Sequence, residues 1–359
     1  MTRTGTGTGT GRTVFQLPRA LEAGEPPEAR GLARDGVKMM VGRRSTGTLV
    51  HTKFVRLPSF LEAGDLVVVN TSGTIPAAVD GIGVTDHTPV VVHLSTHLDG
   101  ELWVVEPRLP SGGTTQQWNG GGGRRPPRHI TLAAGGGHLE LLEPYLGRGR
   151  LWLGRLAVPR PALDWLAVHG RPIRYSYVDR PWPLADYQNV YATEPGSAEM
   201  PSAGRPFTAE VLGRLADKGV GVAPIVLHAG VASLEPGEAV FPERVTVSEA
   251  TAALVNATRR AGNRVIAVGT TVVRAVESAV DPATGRLGPL DGWTDLFITA
   301  ERGVQVVDGL LTGWHEPGAS HLEILEAVAG SDLVTRSYAA SLEAGYLFHE
   351  FGDVHLLLA

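Results

Sequence analysis

Two histidines sit where proton carriers are commonly placed. His228 ends the apolar run Ile225-Val226-Leu227, and His315 lies in Leu311-Thr312-Gly313-Trp314-His315-Glu316-Pro317, just ahead of a helix-like stretch. Histidine at a strand end or helix entry can exchange protons near neutral pH, although a lone one is more often structural. The strongest local pattern is Val265-Ile266-Ala267-Val268-Gly269-Thr270-Thr271, continued by Val272 to Ser278. It reads as a buried strand, a Gly-Thr-Thr turn and a helix. The first backbone N–H groups of that helix, with the two hydroxyls, can hold an anionic or hydroxyl-bearing ligand. Arg274 and Glu277 are three residues apart and share one helix face. The plainer reading of the same residues is a threonine N-cap followed by a surface ion pair. No Gly-x-Gly-x-x-Gly occurs, so a dinucleotide site is not supported.

A second cluster runs from Asp186-Tyr187-Gln188-Asn189-Val190-Tyr191 to Pro206-Phe207-Thr208. Such a polar, aromatic loop ahead of a helix could stack a purine and reach it with amides, or could be an ordinary surface loop. His93 and His97 have His-x-x-x-His spacing, but at a strand end, and no His-Glu-x-x-His is present. With no cysteine either, thiolate zinc, iron–sulfur clusters, disulfides and a cysteine nucleophile are excluded, and no metal is expected. The net charge of −5 argues against a strongly basic nucleic-acid binder. The groups Lys38, Arg43, Arg44 and Arg124, Arg125, Arg128 read as solvated faces. No apolar run approaches the roughly 18 residues of a membrane span, and the Gly-Thr alternation at the start has no signal-peptide core. A cytoplasmic monomer is expected.

The elements that must hold these residues fall into two kinds. Between about 80 and 175, the runs Pro89 to Leu94, Leu102 to Val105, Ile130 to Leu132 and Leu151 to Leu153 are divided by Gly and Pro, which predicts a small β-barrel or sandwich. In the second half, Thr208 N-caps a helix to about Lys218, Ser248 opens another to Ala261, and Ser320-His321-Leu322-Glu323 has the capping-box pattern for a third that ends at Gly330. Strand-like segments alternate with them: Val222 to Leu227, Arg264 to Val268, Leu296 to Ile298, Val304 to Val307 and Val354 to Leu358. That alternation, with a further strand from Gly64 to Asn70, implies an α/β domain whose sheet is mixed or barrel-like with flanking helices. The expected organisation is a disordered low-complexity tail (1–11), an α/β main domain (12–78 and 178–359) and an inserted β-barrel domain (79–177). Gly-rich stretches at 111–128 and 135–137 read as hairpin tips.

Taken in order, Gly64-Asp65 to Asn70, Ile75-Pro76-Ala77, Tyr187-Gln188 with Val190-Tyr191-Ala192, Leu227-His228, Ala267 to Thr271 with Arg274 and Glu277-Ser278, Gly292-Trp293-Thr294-Asp295, and Asp308-Gly309-Leu310 through Thr312, His315, Pro317 and Ser320 resemble the S-adenosylmethionine:tRNA ribosyltransferase-isomerases of queuosine biosynthesis. The resemblance implies an α/β domain with an inserted barrel. It also implies transfer and isomerisation of the ribosyl group of S-adenosylmethionine onto 7-aminomethyl-7-deazaguanine in tRNA, with release of adenine and methionine. Under it, Gly269, Thr270 and Thr271 hold the donor's ribose or carboxylate, Tyr187 and Phe207 stack on adenine, and Gln188 and Arg274 are further donor-binding residues. His228, His315, Glu277 and Asp308 become the candidate proton carriers. The chain departs from the family where Asn-Asp-Thr-Arg-Val-Ile-Pro-Ala-Arg is usual, having Asn70-Thr71-Ser72-Gly73-Thr74-Ile75-Pro76-Ala77-Ala78 instead. It also has Arg205-Pro206 for Leu-His. Losing two arginines removes about two potential phosphate contacts and leaves open a second reading, in which the acceptor is a small molecule.

Overall fold

A computed structural model describes residues 13–118, 125–133, 135–147, 150–231 and 240–359; the Gly-Thr tail and the Gly120 to Gly123 run lie outside them. Nine strands form one mixed sheet. In spatial order they are Leu290–Thr294, Glu243–Val247, Gly221–Leu227, Leu66–Asn70, Val265–Val268, Gly309–Gly313, Val354–Leu358, Lys38–Arg43 and Thr48–Lys53. The four strands from Gly221–Leu227 to Gly309–Gly313 run parallel.

Three of these four, Leu66–Asn70, Val265–Val268 and Gly309–Gly313, are buried along their whole length, as parallel strands covered on both faces are, whereas Gly221–Leu227 alternates buried with exposed residues. Leu66 and Val68 point into one core and Val67 and Val69 into the other. Among the described residues six α-helices accompany the sheets: α1 (Ala162–His169), α2 (Ala209–Asp217), α3 (Glu249–Arg260), α4 (Thr270–Ser278), α5 (His321–Ala329) and α6 (Ser331–Glu343). Residues of α3 to α6 fill the first core, while α2 and the 3-10 segment Phe54–Phe60 cover the second.

Six further strands, Ala78–Gly83, Pro89–Asp99, Leu102–Ser111, His129–Leu132, His138–Pro144 and Trp152–Ala157, close into a barrel through pairing of the last with Leu102–Ser111. Closure leaves those strands without free edges. The barrel core is built around Trp103 and, from α1, Trp165 and Leu166. Gly135 and Gly136, at φ +67° and +69°, turn one of its hairpins as expected. An α/β sheet with a separate small barrel is therefore the architecture.

Some expectations fail for identifiable reasons. Neither Leu296 to Ile298 nor Val304 to Val307 is a strand. Side chains take their backbone groups instead: the Glu277 carboxylate accepts from the N–H groups of Gln305 and Val306 at 2.9 Å, and Arg274 Nε donates to the Leu296 carbonyl at 3.1 Å. Ser320 lies in helical conformation (φ −59°, ψ −23°) with no side-chain cap bond, so the capping box is not formed. Gly330 does end α5, and α6, which the capping signals did not reveal, starts directly after it.

Candidate active site

The parallel strands set the position of the site. Val265–Val268 delivers Gly269, and Gly309–Gly313 delivers Trp314 and His315, to the carboxyl edge of the sheet, where ligands of open α/β sheets bind. Gly269 has φ +90°, a conformation that favours glycine, and it lets the chain turn straight from strand into α4. A cavity of about 220 Å³ opens there. Its walls include Tyr187, Gly269, Thr270, Thr271 and His315, so five of the sequence-derived site residues come together. Asn70 ties the neighbouring strand ends together: its amide donates to the Leu227 carbonyl (2.8 Å) and accepts from the Leu227 and Ser72 N–H groups (both 3.0 Å). It also lies 3.4 Å from the Thr271 hydroxyl.

His315 is held on three sides. Its Nε2 is 3.0 Å from Thr312 Oγ1, its backbone N–H donates to the Tyr338 hydroxyl (3.2 Å), and its ring lies parallel to that of His321 with centroids 4.5 Å apart. Burial, reinforced by the neighbouring imidazoles of His321, His349 and His355, depresses its pKa well below the usual histidine value. His321 is pushed down to about 4, first by burial and then by Arg274. Both rings are therefore neutral at physiological pH and can accept a proton or donate an N–H.

The opposite wall carries acidic groups. Tyr177 donates to Glu350 Oε2 at 2.6 Å and stacks face to face on His349 at 3.9 Å; Tyr175 donates to Glu199. Burial raises the pKa of Glu350 and, together with the Glu350 charge, that of the Tyr177 phenol. Among the described residues lining the cavity are three glutamates (Glu199, Glu316, Glu350) and no lysine or arginine. Such a cavity favours a cation and disfavours phosphate.

The other expected residues are placed elsewhere. Phe207 is fully buried in the second core, edge-on to Phe54 at 5.0 Å, because its loop folds back under the sheet before Thr208 caps α2. Gln188 clamps the backbone of Thr74, accepting its N–H (3.0 Å) and donating to its carbonyl (2.7 Å). Glu277 is spent on the 305–307 backbone and Arg302. Asp308 accepts from the Val265 N–H (2.9 Å) at the opening end of that strand, so it lies at the opposite edge of the sheet from Gly269. His228 is tied through Nδ1 to Ser72 Oγ (2.8 Å), which is itself 2.6 Å from Ser197 Oγ. This hydroxyl chain joins His228 to the short parallel pair Ser72–Thr74 and Glu194–Ser197; Thr74 of that pair lines the cavity, and His228 stands behind it. Arg274 pairs with Glu243 and lines a second cavity, of about 80 Å³, beside the first.

Sequence reasoning passed over Tyr175, Tyr177, Glu199, His321, His349 and Glu350. They arrive from four separate segments, and no local spacing connects them. The doublet His349-Glu350, with His349 at φ +71°, is the nearest thing to a signal.

A family model described as "Queuosine biosynthesis protein" matches residues 12–357. Curated relatives include proteins from Desulfitobacterium hafniense (33% identical, covering 96% of this chain and 98% of the relative) and Symbiobacterium thermophilum (34%, 96% and 98%), both named S-adenosylmethionine:tRNA ribosyltransferase-isomerase. The crystal structure of S-adenosylmethionine tRNA ribosyltransferase from Thermotoga maritima matches with a TM-score of 0.54 at 26% identity, covering 96% of this chain and 99% of that one.

Proposed function

The chain belongs to the queuosine biosynthesis protein family, and from that premise we propose that it is an S-adenosylmethionine-dependent ribosyltransferase-isomerase acting on 7-aminomethyl-7-deazaguanine in tRNA. The observation that carries the reading is the acidic cavity at the Gly269-Thr270-Thr271 turn in a chain whose relatives bear that activity's name along nearly their whole length. The relatives' names support tRNA over a small-molecule acceptor. Gly73 and Ala78, which stand where the family has arginine, are both buried here, so neither position offers a surface for a phosphate.

The donor carries a sulfonium, an ammonium and a carboxylate, a net charge of +1. Glu199, Glu316 and Glu350 attract the cationic groups, while the free N–H groups at the start of α4 suit the carboxylate. The Tyr187 ring, 4% exposed and 5.0 Å from that of Phe351, offers a flat wall for adenine. The sulfonium acidifies the C5′ protons, and neutral His315 takes one. Adenine leaves as the bond between its ring nitrogen and the ribose C1′ breaks, and it takes up a proton. The acceptor's amine bonds to C1′ and releases a proton, and C5′ bonds to C1′ to close the five-carbon ring. The ring oxygen, freed from C1′, bridges C4′ and C5′ as the C5′–S bond breaks and methionine departs as the neutral thioether. A buried cavity shelters the intermediates from water. Of the other proton-carrier candidates, His228, Glu277 and Asp308 serve the scaffold.

The test is transfer of label. With S-adenosylmethionine labelled in its ribose, the reading predicts label in the modified nucleoside after digestion of the tRNA. Label confined to soluble products contradicts it.

A further inference from the structure

Two cavities, not one, meet at the turn into α4. The smaller is bounded by barrel residues Ser95, Thr96, Val104 and Tyr145 on one side and by the segment Leu296 to Ile298 on the other. Thr270, Thr271, Ala229 and His321 line both. Their chemistry differs. The larger carries three glutamates and no basic group among its described lining residues; the smaller holds one acid and one base, Glu243 and Arg274, paired to each other. Arg274 also donates to the carbonyls of Leu296 and Thr294, and Glu243 accepts the Gly230 N–H at 3.0 Å. The smaller space is therefore neutral overall. Phe241 and Phe297 give it flat apolar walls, Thr96 and Tyr145 also line it, and Phe297 stands 42% exposed.

We propose that the smaller cavity is the acceptor subsite: it takes the flipped-out deazaguanine ring of the tRNA, with Phe297 as its stacking platform, while the larger cavity takes the donor. This rests on the functional reading above. A zwitterionic donor with net charge +1 belongs with the glutamates. A neutral planar heterocycle belongs where the walls are aromatic and the only charges cancel. Bases presented to modifying enzymes leave the stack and are gripped between aromatic or apolar side chains. Thr270, Thr271 and His321, which line both cavities, then mark where the acceptor's amine meets the donor's ribose, and this places the reacting atoms at the turn.

The experiment compares Phe297→Ala, Phe297→Trp and Val240→Trp, a substitution that narrows the same space, with the unsubstituted enzyme. Donor affinity is read by calorimetry with S-adenosylmethionine, and acceptor KM with deazaguanine-bearing tRNA. Phe297→Ala raises the acceptor KM by about tenfold, the scale of one lost base–aromatic stack, and Phe297→Trp restores it. Val240→Trp blocks turnover yet binds donor normally. An unchanged acceptor KM in Phe297→Ala, or a matching loss of donor affinity in either cavity variant, overturns the assignment. Absence of turnover by the unsubstituted enzyme would instead overturn the functional reading on which it stands.

Discussion

His315 and His321 form one unit: two parallel, half-buried, neutral rings just past the end of a strand and at the start of a helix. If His315 accepts the C5′ proton, His315→Ala lowers adenine release by about a hundredfold or more, the usual worth of a positioned base. Donor affinity should change little, and circular dichroism should be unaltered. Full activity in that variant removes His315 from the mechanism. The pair also leaves a mark on stability. His321 titrates near 4 in the folded protein against 6.5 for an ordinary imidazole, so as pH falls the unfolded chain binds the proton first. Its effect is nil above about pH 6.5, grows between 6.5 and 4, and is complete below. His321→Asn should therefore flatten the acid limb of Tm against pH within that window. An unaltered slope would mean that the ring is not held neutral by burial.

Among elements, legibility followed locality. The strand–turn–helix at Gly269 could be read because every signal in it is adjacent in sequence, and Val354–Leu358 was legible as an apolar run bounded by turns. Residues that act across the chain were not. Arg274 and Glu277 looked like a surface pair on one helix face, yet each points into a different loop and replaces a sheet ladder there. The acidic wall was invisible because Tyr175, Glu199 and Glu350 meet only after folding. Caps separate the two cases in a measurable way. Thr208 Oγ1 accepts the Val211 N–H at 3.2 Å, whereas Ser320 makes no such bond. Thr208→Ala should cost about 1 kcal/mol in urea denaturation, and Ser320→Ala less than about 0.5 kcal/mol. Equal losses would contradict the cap assignment. Glu277→Gln should cost about 2 kcal/mol, since one amide oxygen cannot serve the Gln305 and Val306 N–H groups and Arg302 alike. A loss within error of zero would show that the 305–307 segment is anchored by other contacts.

Over the whole molecule, the two architectural parts have separable duties. The sheet presents Gly269, Thr270, Thr271 and His315 from neighbouring strand ends, and the barrel supplies one wall of the second cavity. The overall charge of −5 is compatible with a tRNA substrate only if recognition concentrates on the base rather than on many phosphates. Acidic lining at the larger cavity has the same consequence, since it repels the backbone and admits the cationic donor. The central claim, that donor consumption is coupled to a tRNA-borne amine, is tested most directly by mass spectrometry of small molecules. The protein is incubated with S-adenosylmethionine and with tRNA either carrying or lacking the aminomethyl-deazaguanine. Adenine and methionine appearing in equal amounts, and only with the modified tRNA, is the predicted result; release indifferent to the tRNA, or none with it, would contradict the account.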